Sequence, residues 1–256
     1  MQKVKWALDL RKEEKGAPKM EKFKQYFSFA DVFRYPDAQY QAGVANCQSM
    51  LDENYPESAD EFRRFSDFLA KSDPDAAEEI FTKTFHIQAI CYLDLGYVIF
   101  GEDYKRGEFL VHMKDEQLKV GNDVGSELPD NLSKVLELMA LSKDEKFVEE
   151  LAVRVLIPAL TRMISEFEEA RMQLKEKVLK KLHKALIQQG LKGGNIYRAA
   201  LSALKKVLEK DFAGIRYETA APNPLIGGAF LKNCGDGCAT DPLNAPVSQD
   251  LSVGML

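Results

Sequence analysis

Hydrophobic residues recur at helical spacing along almost the whole chain. No segment combines strict alternation, β-branched enrichment and a tight Asn-Gly or Asp-Gly turn, as a hairpin would. The pattern predicts an all-α fold. The clearest helices are predicted in FKQYFSFADVFRY, in ADEFRRFSDFLA and in the long segment from Pro74 to Phe100, and IYRAALSALKKVLEKDF is predicted to form the last helix.

A long central helix is predicted from Pro74 to Phe100. Asp73 followed by a proline is typical of a helix start, and Gly101 is typical of a helix end. The second half of this segment is apolar on all sides except for Asp94, so we expect it to be buried. A carboxylate in such a place needs a partner, because an unpaired buried charge is costly.

Arg106 is the expected partner of Asp94, since a chain reversal at Gly101 would bring the next helix alongside. On the predicted central helix, His86, Ile90 and Asp94 share one side at i, i+4 and i+8. The ion pair has two interpretations: it holds the two helices of a hairpin together, or it is a polar anchor at the base of a groove. The physical argument favours the first, because buried charges are more often paired for structure than for function.

Two helical regions follow the predicted hairpin. From Leu128 to Met139, apolar residues fall on one face at i, i+4, i+7, i+8 and i+11, with Pro129 in the first turn. From Asp144 to about Gln189 the pattern stays helical, and Pro158 is expected to kink or split the helix because it removes a backbone hydrogen bond.

The composition changes after Gly214. The remaining residues are rich in Pro, Gly, Asn and Ser without periodicity, which predicts an irregular tail. We therefore expect an N-terminal extension (1–20), a single-domain helical bundle (21–214) and an irregular, Cys-containing tail (215–256).

Composition and charge narrow the class of protein. The 256 residues are 45% hydrophobic and 29% charged, which suits one globular domain with a tail. The net charge of -5 argues against nucleic-acid binding, which needs clustered Lys and Arg. The N-terminal residues lack a signal-peptide pattern, and the longest apolar run is too short to span a bilayer. We expect a soluble, cytoplasmic protein.

The search for catalytic and metal motifs favours a protein that is not an enzyme. There is no G-x-S-x-G elbow, P-loop, Rossmann glycine signature or H-E-x-x-H pair, and the three histidines are widely spaced. Cys234 and Cys238 form the one metal-like pair, but structural zinc needs four ligands and Cys47 and Cys91 are far along the chain. We expect no catalytic residues, no metal and no bound cofactor.

Three motifs occur in this order: Tyr35-Pro36-Asp37, the turn Gly101-x-Asp103-x-Lys105-Arg106-Gly107, and Glu127-Leu128-Pro129-Asp130 with the following Leu132 and Leu136-Glu137-Leu138. Together they resemble the NarJ/TorD/DmsD family of molybdoenzyme maturation chaperones, in particular its NarJ-like branch. The resemblance covers roughly residues 25–142 and extends weakly to about residue 210.

The chain departs from the family pattern in four places. His86 stands where the family often has an acid, and Ser133 where it has a proline. The charged segment 166–189 is longer than usual, and the Cys-bearing tail has no counterpart. These departures bear on the partner more than on the fold.

The resemblance implies a TorD-like helical bundle that binds the catalytic subunit of a molybdopterin oxidoreductase of the nitrate, nitrite or dimethyl-sulfoxide-reductase type, through that subunit's N-terminal segment. Such a chaperone holds the subunit in the cytoplasm until molybdopterin, and usually an iron–sulfur cluster, are inserted. Helix-in-groove recognition of this kind needs an apolar groove with acids at its rim. The partner-binding residues are then expected to be Tyr92, Tyr97, Phe100 and Tyr104 as aromatic walls, Asp94, Asp103, Glu127 and Asp130 as carboxylates, Leu128 and Pro129 between the last two acids, and Arg106 holding Asp94.

Two other classes stay open. The protein could be a chaperone-like structural subunit that stays on the mature enzyme complex or filament, with the long charged segment and the tail as extra interface. It could also be an enzyme or metal protein centred on the tail cysteines. The sequence does not fix the partner enzyme, and it leaves self-association open.

Overall fold

The computed structural model describes residues 22–87, 89–168 and 196–216. Within these ranges the chain is helical and has no strand, which confirms the all-α prediction. A π-helical turn covers Ala152–Leu156. The helices are α1 (Gln25–Val32), α2 (Tyr40–Asn54), α3 (Pro56–Ala70), α4 (Pro74–Phe85), α5 (Leu95–Phe100), α6 (Lys105–Lys119), α7 (Leu132–Leu141), α8 (Glu145–Leu151), α9 (Ile157–Ser165) and α10 (Tyr197–Asp211).

Several predictions concern residues outside these ranges. They include the N-terminal extension, most of the charged segment 166–189, and the tail beyond residue 216 with Cys234 and Cys238. The three predicted domain ranges therefore remain predictions.

The core forms around α10 and the aromatic residues that meet it. α3 packs against α2 and α10, α1 packs against α2 and α7, and α9 packs against α10. Phe65 and Phe85 lie with their ring centroids 4.9 and 4.8 Å from that of Tyr197. The Tyr40 hydroxyl donates to the Val32 carbonyl at 2.7 Å, so the Tyr197 hydroxyl, 2.8 Å away, is the donor to Tyr40. Each buried hydroxyl thus has a partner, as burial requires.

The predicted central helix from Pro74 to Phe100 is wrong, because the chain leaves the helix after Phe85. Its start is confirmed: Asp73 accepts a hydrogen bond from the Ala76 N–H at 2.8 Å. At the other end the Thr84 carbonyl accepts from the Ile90 N–H at 2.8 Å, which closes a non-helical turn.

A short helix, α5, then begins at Leu95. It ends at Gly101, whose φ of +63° confirms the predicted helix end. Asp94 is the residue before α5, in an extended conformation. His86, Ile90 and Asp94 therefore do not share a helical face.

The predictions for the following helices are partly confirmed. α7 begins at Leu132 instead of Leu128, because the side chain of Asn131 accepts from the Ser133 N–H at 3.0 Å and caps the helix. Pro129 lies before the helix. The predicted interruption at Pro158 is confirmed: the π-helical turn ends just before it, and the proline falls in the first turn of α9.

Candidate functional site

An isolated antiparallel bridge between Asp94 and Asn131 organises the candidate site. The Leu95 N–H donates to the Asp130 carbonyl at 3.0 Å, and the Leu132 N–H donates to the Leu93 carbonyl at 2.9 Å. These two bonds join the starts of α5 and α7. The third family-like motif is thereby held against the apolar run that contains Asp94.

Asp130 is fully buried at the beginning of α5. Its Oδ2 accepts from the Gly96 N–H at 2.8 Å. A Cβ atom at position 96 would lie 2.7 Å from that oxygen and 2.9 Å from Cδ1 of Phe109, which is closer than a side chain tolerates. Gly96 is therefore needed for the carboxylate to reach the backbone. The expectation that Asp130 lies at a groove rim is wrong.

Arg106 pairs with Asp94, as the sequence predicts. Its Nη2 lies 3.5 Å from Asp94 Oδ2, and both side chains keep about a quarter of their surface exposed, 25% and 28%. The guanidinium carbon lies 5.2 Å from the Tyr97 ring centroid, and that ring meets Tyr92 edge to face at 4.6 Å. One cation thus contacts both an acid and an aromatic pair.

Asp94, Arg106 and Asp130, here called the acid–arginine cluster, hold two carboxylates and one cation. Burial, then the charge of Asp94, raise the pKa of Asp130 to about 6, against the lowering effect of the Gly96 N–H and Arg106. Burial also raises the pKa of Asp94: Arg106 lowers it and Glu127 raises it, but burial is the largest effect. The cluster is short of positive charge.

A small cleft borders the cluster on the side of the first family-like motif. Its volume is about 50 Å³. Ligand pockets usually measure roughly 300–1,000 Å³, so this cleft suits the end of one side chain. The cleft, here called the Tyr35 cleft, is lined by Phe33, Arg34, Tyr35, Phe81, His86, Leu93, Glu127, Asn131, Ser133 and Lys134.

Exposed apolar side chains lie in the segments that border the Tyr35 cleft. Tyr35 is 48% exposed; its ring packs edge to face on Phe81, and its hydroxyl donates to Glu78 at 3.0 Å. Further exposed apolar side chains are Ile87, Tyr92 and Leu128. Glu127, an exposed acid of the cleft, accepts from the Asn131 side chain at 3.2 Å. The surface therefore combines apolar groups with carboxylates.

The other predicted site residues have different positions. Phe100 packs on the core, with its ring centroid 5.7 Å from that of Phe109. Asp103 accepts from the Lys105 N–H at 2.9 Å and stabilises the start of α6. Tyr104 is 55% exposed at that helix end. The carbonyl of Pro129 accepts from Gln117 at 3.0 Å, which ties the third motif to α6.

The Tyr35 cleft and Gly96 were not predicted as site features. The signal for Gly96 was present, since a glycine inside an apolar run often marks a close backbone approach. The cleft gave no such signal, because its residues come from four separate segments.

Among the described residues, no group of three His, Cys, Asp or Glu side chains is placed to hold a metal ion, and Cys47 and Cys91 are buried and not part of a disulfide. No helix in the described ranges has the length and apolar character needed to cross a bilayer. A comparison with protein-family models finds none that matches the chain. A comparison with curated proteins finds no significant match.

Proposed function

We propose that the protein is a cytoplasmic maturation chaperone that binds the catalytic subunit of a molybdopterin oxidoreductase, as the resemblance to the NarJ-like branch implies. The observation that carries the proposal is the convergence of three family-like motifs. Tyr35 of the first motif and Glu127 of the third line the same cleft. Arg106 of the second motif pairs with Asp94, which is bridged to the third motif at Asn131.

The chemistry of this surface supports a peptide segment as the ligand. Exposed aromatic side chains such as Tyr35 and Tyr92 supply apolar contact area with few rotatable bonds, which is typical of binding hot spots. Glu127 and the partly exposed Asp94 favour a segment with basic residues beside its apolar ones. An N-terminal segment of a catalytic subunit with apolar and basic residues would fit both requirements.

The test is calorimetry with peptides from the N-terminus of the co-encoded catalytic subunit. Tyr92→Ala should weaken binding about tenfold or more, because hot-spot truncation costs about 2 kcal/mol. Glu127→Gln should cost only a few-fold and make the affinity less sensitive to salt. Phe68→Ala is the matched control: this side chain is similarly exposed, at 41%, on α3, which packs against α2 and α10.

The proposal fails if no such peptide binds, or if Phe68→Ala weakens binding as much as Tyr92→Ala. Co-purification only with mature, cofactor-loaded enzyme in fixed stoichiometry would instead favour the retained structural subunit.

A further inference from the structure

The acid–arginine cluster has unsatisfied groups in its interior. Asp130 Oδ1 and Arg106 Nε are both buried and have no hydrogen-bond partner among the described residues. Arg106 directs Nη2 to Asp94, so the charge of Asp130 is balanced by the Gly96 N–H, by its own backbone N–H and by the more distant guanidinium. A buried carboxylate in this state is held in its ionised form at a cost.

A cation or a proton can remove this imbalance. The cation could approach only from the partly exposed side, where Asp94 and Glu127 lie, because Asp130 is fully buried. A proton can bind to Oδ1 of Asp130, which has no hydrogen-bond partner among the described residues, without any movement of the chain. The two remedies compete, since each removes the repulsion between the same two carboxylates.

We propose that, in mildly acidic solution, Asp130 carries a proton while the surface is empty and releases it when a cationic side chain of the partner binds against Asp94 and Glu127. The inference rests on the proposed function, since it concerns the same surface, and it adds that binding is coupled to proton release. The proton leaves the Asp130 carboxyl for solvent. Arg106, relieved of Asp94 by the new cation, then balances the Asp130 carboxylate.

The charges around the cluster support this order of events. Asp94 is the charged group with the largest effect on Asp130, and it raises the pKa of Asp130 to about 6 together with burial. Arg106 acts in the opposite direction on both acids, while Glu127 and His86 act on Asp94. A cation at Asp94 therefore lowers the proton affinity of Asp130. His86 also lowers the pKa of Asp94, so the test must separate its contribution from that of Asp130.

The size of the effect follows from linkage. If Asp130 is protonated below about pH 6 when free and ionised when bound, the affinity for the peptide is about tenfold lower at pH 5 than at pH 7. At pH 6, about half a proton is released for each peptide bound. Above pH 7 the affinity no longer changes with pH, and the number of protons released per peptide approaches zero.

Calorimetry at pH 6 measures the proton release directly, from titrations in two buffers with different ionisation enthalpies. The probe is the N-terminal catalytic-subunit peptide that binds at pH 7, compared with the same peptide in which Lys and Arg are replaced by Gln. The wild-type protein should release the proton only with the basic peptide. Asp130→Asn should abolish the release, and His86→Gln should keep it, whatever its effect on affinity.

The possible results are distinguishable. If no peptide binds at pH 7, the proposed function fails. If the basic peptide binds without proton release, or if His86→Gln abolishes the release, binding stands but the inference is wrong. Should Asp130→Asn not fold, NMR of isotope-labelled aspartate carboxyls in the wild type decides: the Asp130 signal must shift toward that of the ionised form when peptide is added at pH 6. An unchanged signal overturns the inference.

Discussion

Gly96→Ala is expected to destabilise the fold, although alanine is the better helix former. The new Cβ would lie 2.7 Å from Asp130 Oδ2 and 2.9 Å from Phe109 Cδ1, so both side chains must move. Overpacking of this kind costs about 1–3 kcal/mol. Displacing the carboxylate from the Gly96 N–H removes a charge-assisted hydrogen bond worth about 1.5–3 kcal/mol. The gain in helix propensity offsets about 1 kcal/mol.

The net loss of unfolding free energy should therefore be about 2–4 kcal/mol. It is measured as a lower urea midpoint with unchanged slope, followed by far-UV circular dichroism. Gly107→Ala is the matched control: this glycine lies in α6, and a Cβ there has no atom within 4 Å. The control should gain about 0.5–1 kcal/mol from the helix propensity.

A Gly96→Ala variant that is neutral, or as stabilising as Gly107→Ala, would contradict the predicted clash with Asp130 and Phe109. A second check is the combination of Gly96→Ala with Asp130→Ser, which shortens the clashing side chain. The two changes touch each other, so the double variant should lose less than the sum of the single losses.

Three further predictions concern charge. Burial raises the pKa of Asp130 to about 6, so the stability that its protonated form contributes is complete below pH 4 and falls by about 3 kcal/mol as the pH rises through 6. In urea melts from pH 4 to 7, Asp130→Asn should lose this decrease of the unfolding free energy with pH. In a double-mutant cycle, Arg106→Ala and Asp94→Ala should show a coupling energy of about 1 kcal/mol, because the distance between Arg106 Nη2 and Asp94 Oδ2 is long and both side chains are partly exposed. A coupling energy near zero would contradict a direct ion pair. Asp211→Ala should cost about 2–3 kcal/mol, because the hydroxyl of buried Tyr26 loses its acceptor at 2.8 Å; Tyr26→Phe should then add little to it.

Local signals in the sequence predicted the ends of the helices better than their continuity. Asp73 and Gly101 were correctly predicted to begin and end helical structure, because capping depends on a few neighbouring residues. The break after Phe85 was missed. An apolar run buried on all sides looks the same in a helix and in an extended segment. The interaction that distinguishes the two conformations is the hydrogen bond between the Leu132 N–H and the Leu93 carbonyl, and it joins residues far apart in the sequence.

The parts of the candidate site that were predicted likewise depend on local signals, and the parts that were missed depend on contacts between distant segments. The contact of Arg106 with Asp94 was predicted correctly although the helix containing Asp94 was wrong, because it depends only on the chain reversal at Gly101. The burial of Asp130 could not be predicted in this way. It follows from the bridge at Asn131 and from the space that Gly96 leaves, and neither has a periodic signal.

The arrangement around Asp130 costs stability that a simple substitution would recover. Asparagine is of similar size, could accept the same hydrogen bond from Gly96, and would carry no charge into the interior. A glutamine in place of Asp94 would likewise remove the repulsion. A surface selected for stability alone has no reason to place a fully buried acid and a partly exposed acid beside one arginine. A surface that exchanges a proton for a partner's cation needs two acids this close, because the charge of Asp94 helps to hold the proton on Asp130 until the cation arrives.

The loss of stability as the pH rises through 6 and the proton release proposed for binding at pH 6 therefore have the same physical origin, the buried Asp130 carboxyl, so Asp130→Asn should remove both.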